Sequence, residues 1–384
     1  MNKVSRLSDF FIIIYFTISL GIALQIGGTN WDIIWHGVND IDSFLTPPHI
    51  VLYSGVLLVI ILNILGIYFW YKDQAASLKI NNNQIFSLKF KNIPSGLKLS
   101  IIGSLFEISS GFFDSWWHSN FGFDGLLSPP HLIIGMGMLI SIIGVFVGIN
   151  HYKLMYPLQT QKKIFKITST ITYAVLWMVS INITFMFTLP YSEGQFFNFN
   201  PDSLLAIITS VIITPVITIG IFLHALKTLE SRFIFSSITG SFMIIQIAST
   251  IVSNEYFTSL LPFYILNILP ALVCDFIVNY NKKRYCSNKY VKKKLHNGNI
   301  VLFIIMPIFL VTLYFPWTVN IYKIYYEIED DTFESIHTFN ELLPIFILPI
   351  LIPATILVSL IILIAFNQLS SKTYSKTLAN NKQI

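Results

Sequence analysis

Two short stretches of this chain carry the same ionisable residues in the same order. Each has the spacing Asp-x3-His-x12-His, and each residue of the second stretch lies 82 positions after its counterpart. The six residues are Asp32, His36 and His49 in the first stretch and Asp114, His118 and His131 in the second. Because imidazole and carboxylate groups bind copper(II), non-haem iron(II) and zinc, the repeated pattern predicts a metal site.

The type of ligand narrows the choice of metal without fixing it. Two imidazoles and one carboxylate suit copper, non-haem iron or zinc, and zinc held by three protein ligands would keep a fourth position open. Calcium and magnesium are disfavoured because they prefer oxygen ligands. Haem b with axial histidines is an alternative, although haem does not require an aspartate four residues before a histidine.

The spacing within each stretch places the ligands on helices. Asp32 and His36 are four residues apart, as are Asp114 and His118, so each pair shares one helix face. The carboxylate can then bind the same ion as the imidazole or orient that imidazole from behind.

The third ligand of each set follows a pair of prolines. Thr46-Pro47-Pro48-His49 and Ser128-Pro129-Pro130-His131 predict helix starts, with a hydroxyl N-cap and proline at the first helical position. The two histidines would then lie in the first turn, where the helix dipole favours neutral imidazole, the form that binds metal.

Three further carboxyl groups are candidates for supporting the ligands. Asp42 and Asp124 lie in the loops between the paired helices, where they can order the turn, hydrogen-bond the ligands from behind or act as extra ligands. Glu107 falls inside an apolar run. A carboxyl group there can act as a proton relay, support the ligands or pack as the protonated acid. Its counterpart in the first stretch is Gln25.

The composition predicts a membrane protein around these residues. Of 384 residues, 54% are hydrophobic and only 11% are charged. About ten apolar runs are long enough to cross a bilayer. They are Phe10–Gly28, His49–Tyr71, Leu97–Trp116, His131–Asn150, Phe165–Leu189, Ser203–Leu229, Phe233–Ser253, Phe257–Val278, Ile300–Val319 and Leu342–Leu369. The predicted fold is therefore an all-α, polytopic bundle of transmembrane helices, with its first run retained as a helix.

Charges alternate between successive connections, which predicts the orientation. Lysine and arginine collect in the connections around residues 72–98, 153–166 and 282–294 and in the tail, whereas acidic residues dominate the intervening connections. By the positive-inside rule both termini are cytoplasmic and both metal motifs face the extracytoplasmic side of the cell membrane. The net charge of +5 is thus a topology signal, and a nucleic-acid partner is not expected.

The repeat also predicts how the chain is organised. Residues 1–150 form a four-helix metal-site module of two helix-loop-helix copies, at about 10–71 and 97–150. Residues 151–384 form a six-helix membrane region without a third copy. Cys274 and Cys286 fall near the cytoplasmic side, where thiols stay reduced, so we expect no disulfide.

The repeated motif resembles the copper-site region in the C subunit of the particulate methane and ammonia monooxygenases. The resemblance covers about Gln25–Gly55 and Glu107–Gly137. It implies copper ligation by the two Asp-His-His sets and oxidation of a small, poorly reactive molecule by dioxygen. It also implies partner subunits in the membrane.

Three functions follow from these patterns. The leading hypothesis is a copper-binding membrane oxidoreductase, or a monooxygenase-like subunit, that receives electrons from a partner or donor because no nucleotide or flavin motif is present. The second is a haem-b electron carrier. The third is a metal importer or metallochaperone with the motif as its entry site.

Overall fold

In the part of the chain that it describes, the computed structural model consists of helices joined by turns and short irregular connections. That part comprises residues 3–38, 43–77, 93–122, 125–188, 197, 199, 203–229, 231–253, 258, 261–285, 304–311 and 348–381. No strand occurs among these residues. The all-α prediction is thereby confirmed.

The described residues form the following α-helices, in chain order. They are α1 (Lys3–Val38), α2 (Pro47–Ser77), α3 (Ser95–Phe121), α4 (Pro129–Met155), α5 (Lys163–Met186), α6 (Ser203–Thr228), α7 (Ile234–Ser253), α8 (Leu261–Leu266), α9 (Ile268–Tyr285) and α10 (Leu348–Asn381). A 3-10 turn, Pro157–Gln161, joins α4 to α5, and residues 304–311 add a short helical segment.

Six of these helices are long and apolar enough to cross a membrane, which makes the chain a membrane protein. Their apolar spans are Asp9–Trp35, Pro47–Asp73, Pro129–Met155, Lys163–Thr184, Ile208–Thr228 and Ile234–Val252. Helix α3 has the same 27-residue length as α4, but Glu107, Asp114 and its serines lower its hydropathy. The count of ten spanning helices and their orientation stay predictions.

The eighth predicted run is broken in two. Helix α8 ends at Leu266 and α9 begins at Ile268. Pro270 has no N–H to donate to the Leu266 carbonyl, and its ring crowds that carbonyl, so one continuous helix is disfavoured.

The described residues divide into two compact units. The first contains Met1–Met186, Tyr191–Asn200 and Gly240–Leu261, and the second contains the remainder. The first unit therefore holds all four helices of the repeat together with α5 and most of α7. The predicted division at residue 150 stays a prediction.

Each copy of the repeat is a pair of helices that pack closely at a glycine. A Cβ atom on Gly55 would lie 2.8 Å from Gln25 Cγ, and one on Gly137 would lie 2.7 Å from Glu107 Cγ. Glycine at these positions lets α2 approach α1, and α4 approach α3, by the same contact. The similarity between the copies thus extends from the sequence into the packing.

The two copies pack against each other reciprocally. Gly66 of the first copy faces Leu97 of the second, and Gly148 of the second faces Tyr15 of the first. Gly66 corresponds to Gly148 in the repeat, and Tyr15 corresponds to Leu97. Exchange of equivalent contacts is the property of a two-fold interface, so the copies are related by a pseudo-two-fold axis. Helix contacts follow the ring α1–α2–α3–α4.

Helices α5 and α7 brace α1 through polar contacts. The Ser19 and Thr172 hydroxyls lie 2.9 Å apart. Near the metal motif, Asn30 Oδ1 accepts from Asn182 at 3.2 Å, and Asn30 donates to Gln246 Oε1 at 3.1 Å. These contacts fix the end of α1 that carries Asp32.

In the second unit a buried carboxylate caps a helix. Asp275 of α9 accepts the backbone N–H groups of Phe235 and Ser236 at 3.1 and 2.8 Å. Both N–H groups belong to the first turn of α7, where unpaired donors and the helix dipole favour a negative charge.

Candidate metal centre

The metal motif lies where the paired helices meet their connecting loops. Asp32 and His36 lie in the last turns of α1, and His49 lies in the first turn of α2. Asp114, His118 and His131 occupy the equivalent turns of α3 and α4. The His36 side chain, Asp42 and Asp124 lie outside the described residues, so their predicted roles stay predictions.

The second copy gathers its three predicted ligands around one carboxylate oxygen. Asp114 Oδ1 lies 3.2 Å from His131 Nε2 and 3.5 Å from His118 Nε2. One ligand atom from each residue falls within 4.8 Å of the others. Because these residues come from two helices, the cluster depends on the α3–α4 packing.

The first copy shows the same contact for the two ligands whose side chains are described. Asp32 Oδ1 lies 3.2 Å from His49 Nε2, matching the distance between Asp114 and His131. His49 is buried. His49 of the first copy lines the same cavity as Asp114 and His118 of the second copy. The two ligand sets are therefore near each other.

Both proline-linked histidines are held from behind by a backbone carbonyl. His49 Nδ1 lies 2.9 Å from the Ser43 carbonyl oxygen, and His131 Nδ1 lies 3.0 Å from the Gly125 carbonyl oxygen. A carbonyl can only accept, so Nδ1 carries the hydrogen in each ring. In the neutral ring the Nε2 lone pair is then directed at the aspartate. A metal-binding histidine is oriented in this way.

In this orientation the unprotonated Nε2 of a neutral imidazole faces a carboxylate oxygen. Both atoms are hydrogen-bond acceptors, so neither can donate to the other. The contact is favourable when a proton or a cation lies between the two atoms. Two ligand atoms placed tetrahedrally at about 2.0–2.2 Å from zinc are about 3.3–3.6 Å apart. The separations of 3.2 and 3.5 Å around Asp114 Oδ1 are close to that value.

The predicted helix starts are confirmed, but the predicted capping by hydroxyl groups is wrong. Helices α2 and α4 begin at Pro47 and Pro129. Ser128 makes no side-chain cap and instead lies 2.9 Å from His131 Nδ1. The buried Thr46 hydroxyl has no hydrogen-bond partner within the described part of the chain. Proline at the helix start leaves fewer N–H groups to cap, which frees the serine for the imidazole.

A cavity of about 240 Å³ adjoins the candidate metal centre. Its walls come from both copies of the repeat. They are Ser43, Phe44, His49, Tyr53, Asp114, Ser115, His118 and Ser119. Sequence reasoning missed Tyr53 and Phe44, although Tyr53 lies one helical turn after His49. The Tyr53 ring stacks on both neighbours, with centroids 5.7 Å from His49 and 4.9 Å from Phe44.

Glu107 lies apart from the ligands on the same helix. It is buried and lies seven residues, about two turns, before Asp114. Its described hydrogen bond is with Ser141 of α4, at 3.0 Å. The structure thus brings together Asp32 with His49 and Asp114 with His118 and His131, and it places Glu107 deeper in the bundle.

Comparison of the chain with protein-family models, with curated proteins and with solved structures finds no match.

Proposed function

We propose that this chain is a membrane metalloprotein that binds a transition-metal ion through Asp114, His118 and His131. Asp32, His36 and His49 form the equivalent set in the first copy. The observation that carries the proposal is the orientation of His49 and His131. Each ring is tied through Nδ1 to a carbonyl and directs Nε2 to an aspartate 3.2 Å away.

The geometry favours a directly coordinated ion over haem b. Asp114 Oδ1 lies within 3.5 Å of both histidine Nε2 atoms. A porphyrin between the two imidazoles would have to pass through that carboxylate. Copper is the first candidate because the resemblance to the monooxygenase subunit implies it, and non-haem iron and zinc suit the same ligands.

The proposed activity is oxidation of a small molecule at the extracytoplasmic face of the cell membrane. The cavity of about 240 Å³ supports it by giving such a molecule access to His49, Asp114 and His118. Electrons would come from a partner subunit or another donor in the membrane.

A second candidate function is metal import or metal delivery. A transport path needs polar groups at depth inside the bundle. The buried face of α3 supplies them below Asp114, with Ser100, Ser104, Glu107 and Ser110. Metal uptake into sealed vesicles that depends on His49 and His131, without substrate oxidation, would favour this function.

Metal analysis of the purified protein tests the proposal. We expect reconstituted protein to retain at least about one equivalent of copper, iron or zinc after removal of free metal. Asp114→Asn and His131→Gln should each lower that content. His151→Gln is the matched control because His151 lies exposed at the opposite end of α4. Wild-type protein that retains far less than one equivalent of each metal would refute the proposal.

A further inference from the structure

The buried carboxyl of Glu107 is incompletely hydrogen-bonded. Glu107 is only 3% exposed. The Ser141 hydroxyl donates to Glu107 Oε1 at 3.0 Å and also to the Ser100 carbonyl at 3.1 Å, so one hydrogen is shared. Glu107 Oε2 has no hydrogen-bond partner within the described residues. A carboxyl inside a membrane bundle in this condition points to a function.

Glu107 lies on a continuous polar face that leads to the metal centre. The buried polar residues of α3 recur every three or four positions, so they share one side of the helix. They are Ser100, Ser104, Glu107, Ser110 and Asp114. Asp114 lies seven positions after Glu107, which is about 10 Å along the helix axis. The acid is therefore near enough to sense the charge at the metal centre without touching its ligands.

The first copy of the repeat shows that packing alone does not require an acid here. Gln25 is the counterpart of Glu107, and it lies beneath Gly55 as Glu107 lies beneath Gly137. Gln25 is also fully buried. The two positions share the shape and burial of the side chain and differ in the ability to exchange a proton.

The charged groups around Glu107 lie toward the helix ends. Helix α3 packs against α2 and α4, and Gly137 and Ser141 of α4 face Glu107. The described titratable groups of these helices at the end with the metal centre are His49, Tyr53, Asp114, His118 and His131. Those at the opposite end are Tyr68, Tyr71, Lys72, Asp73, Lys98, His151, Tyr152 and Lys153. Without a bound cation, Glu107 is stable as the neutral acid, since an unbalanced buried charge is costly.

We propose that Glu107 releases a proton when a cation binds at the Asp114 set. The O–H bond of the carboxyl breaks, the proton passes to solvent, and the carboxylate balances the positive charge that has entered. A unit charge about 10 Å away, at an effective dielectric constant of about 20, favours the ionised form by about fifteenfold. This inference rests on the proposed metal binding.

Titration calorimetry with zinc ion tests the inference in the full chain. Titrations in buffers of different ionisation heat give the number of protons released per bound ion. We expect Glu107→Gln to bind zinc with unchanged stoichiometry and to release fewer protons, by up to one, than the wild type. The matched control is Gln25→Asn, which alters the equivalent position without touching an acid and should release as many protons as the wild type.

An infrared difference spectrum decides the question even if Glu107→Gln folds poorly. Zinc binding to the wild type should remove a carboxylic-acid band and produce a carboxylate band. The inference is overturned if zinc binds and this change is absent, or if the folded variant shows the same change or the same proton release as the wild type. Absence of zinc, copper and iron binding by the wild type would instead refute the proposed metal site.

Discussion

At the scale of single residues, the site is organised by which nitrogen of each imidazole carries the hydrogen. The carbonyls of Ser43 and Gly125 hold Nδ1–H of His49 and His131, so Nε2 is the atom offered to an ion. The residue types were readable from the sequence, but this orientation was not. It depends on carbonyls six residues earlier in loops whose backbone path no side-chain pattern specifies.

Metal binding should weaken as the pH falls. The bound form requires unprotonated imidazoles, whose ordinary pKa is about 6.5, so protons compete with the ion below that pH. With two histidines per ion, we expect affinity to fall by up to about a hundredfold per pH unit well below pH 6. Competition with a chelator of known affinity between pH 5 and pH 8 measures this. An affinity independent of pH would contradict histidine ligation.

The Ser128 hydroxyl should strengthen metal binding only modestly. It lies 2.9 Å from His131 Nδ1, but the Gly125 carbonyl also holds that nitrogen. Loss of such an outer contact commonly lowers affinity by 10–100-fold, and the remaining carbonyl should keep the loss for Ser128→Ala near or below about tenfold. Thr46→Ala is the matched control, because the Thr46 hydroxyl makes no such bond in the described chain. Equal losses in both variants would argue against a role for the Ser128 contact.

At the scale of elements, the close approach of α3 and α4 brings Asp114 to His131. The sequence predicted both helices, their proline starts and the equivalence of Gly55 with Gly137. It did not show that each glycine covers the long polar side chain of its partner helix, since that requires the helix crossing. The sequence prediction also missed the break between α8 and α9. Pro270 leaves a carbonyl without its N–H donor, and a hydropathy profile does not detect this.

A methyl group at Gly137 should disturb the proposed metal centre without touching its ligands. Its Cβ would lie 2.7 Å from Glu107 Cγ and 2.9 Å from the Gly103 carbonyl oxygen. We expect Gly137→Ala to cost about 1–3 kcal/mol and to lower metal affinity by moving α4 away from α3. Thermal unfolding and metal competition measure the two effects.

Gly135→Ala is the matched control for that experiment. Gly135 lies on the same helix, and its added Cβ would meet Ile183 at an ordinary contact distance of 3.5 Å. Similar losses of stability and affinity in the two variants would show that the close approach at Gly137 has no special part in forming the centre.

At the scale of the whole molecule, six apolar helices identify a membrane protein, while its orientation rests on the charge pattern. If both termini are cytoplasmic, the α3–α4 loop lies on the extracytoplasmic side of the membrane and the α4–α5 turn lies on the cytoplasmic side. This arrangement would set the compartment from which a metal bound at the proposed site, and any substrate, arrives.

Labelling of single cysteines tests this orientation. In a Cys274→Ala and Cys286→Ala background, an impermeant maleimide should modify Asn120→Cys in intact cells. It should modify Leu158→Cys only after the membrane is opened. Both native positions are exposed. The reverse pattern would place the metal centre on the cytoplasmic side.

The reciprocal contacts of Gly66 with Leu97 and of Gly148 with Tyr15 are also consistent with an origin of the module by gene duplication. A single helical hairpin with this surface would bind a second copy of itself, so the module is what fusion of two identical chains would leave. A hairpin returns to the side of the membrane where it began, which lets a duplicated gene join its copies without inverting either. Fusion also removes the need for the halves to stay identical. The first copy has Tyr53 beside the cavity, and the second copy has Gly135 at the equivalent position. A dimer of identical chains would have the same residue at both positions.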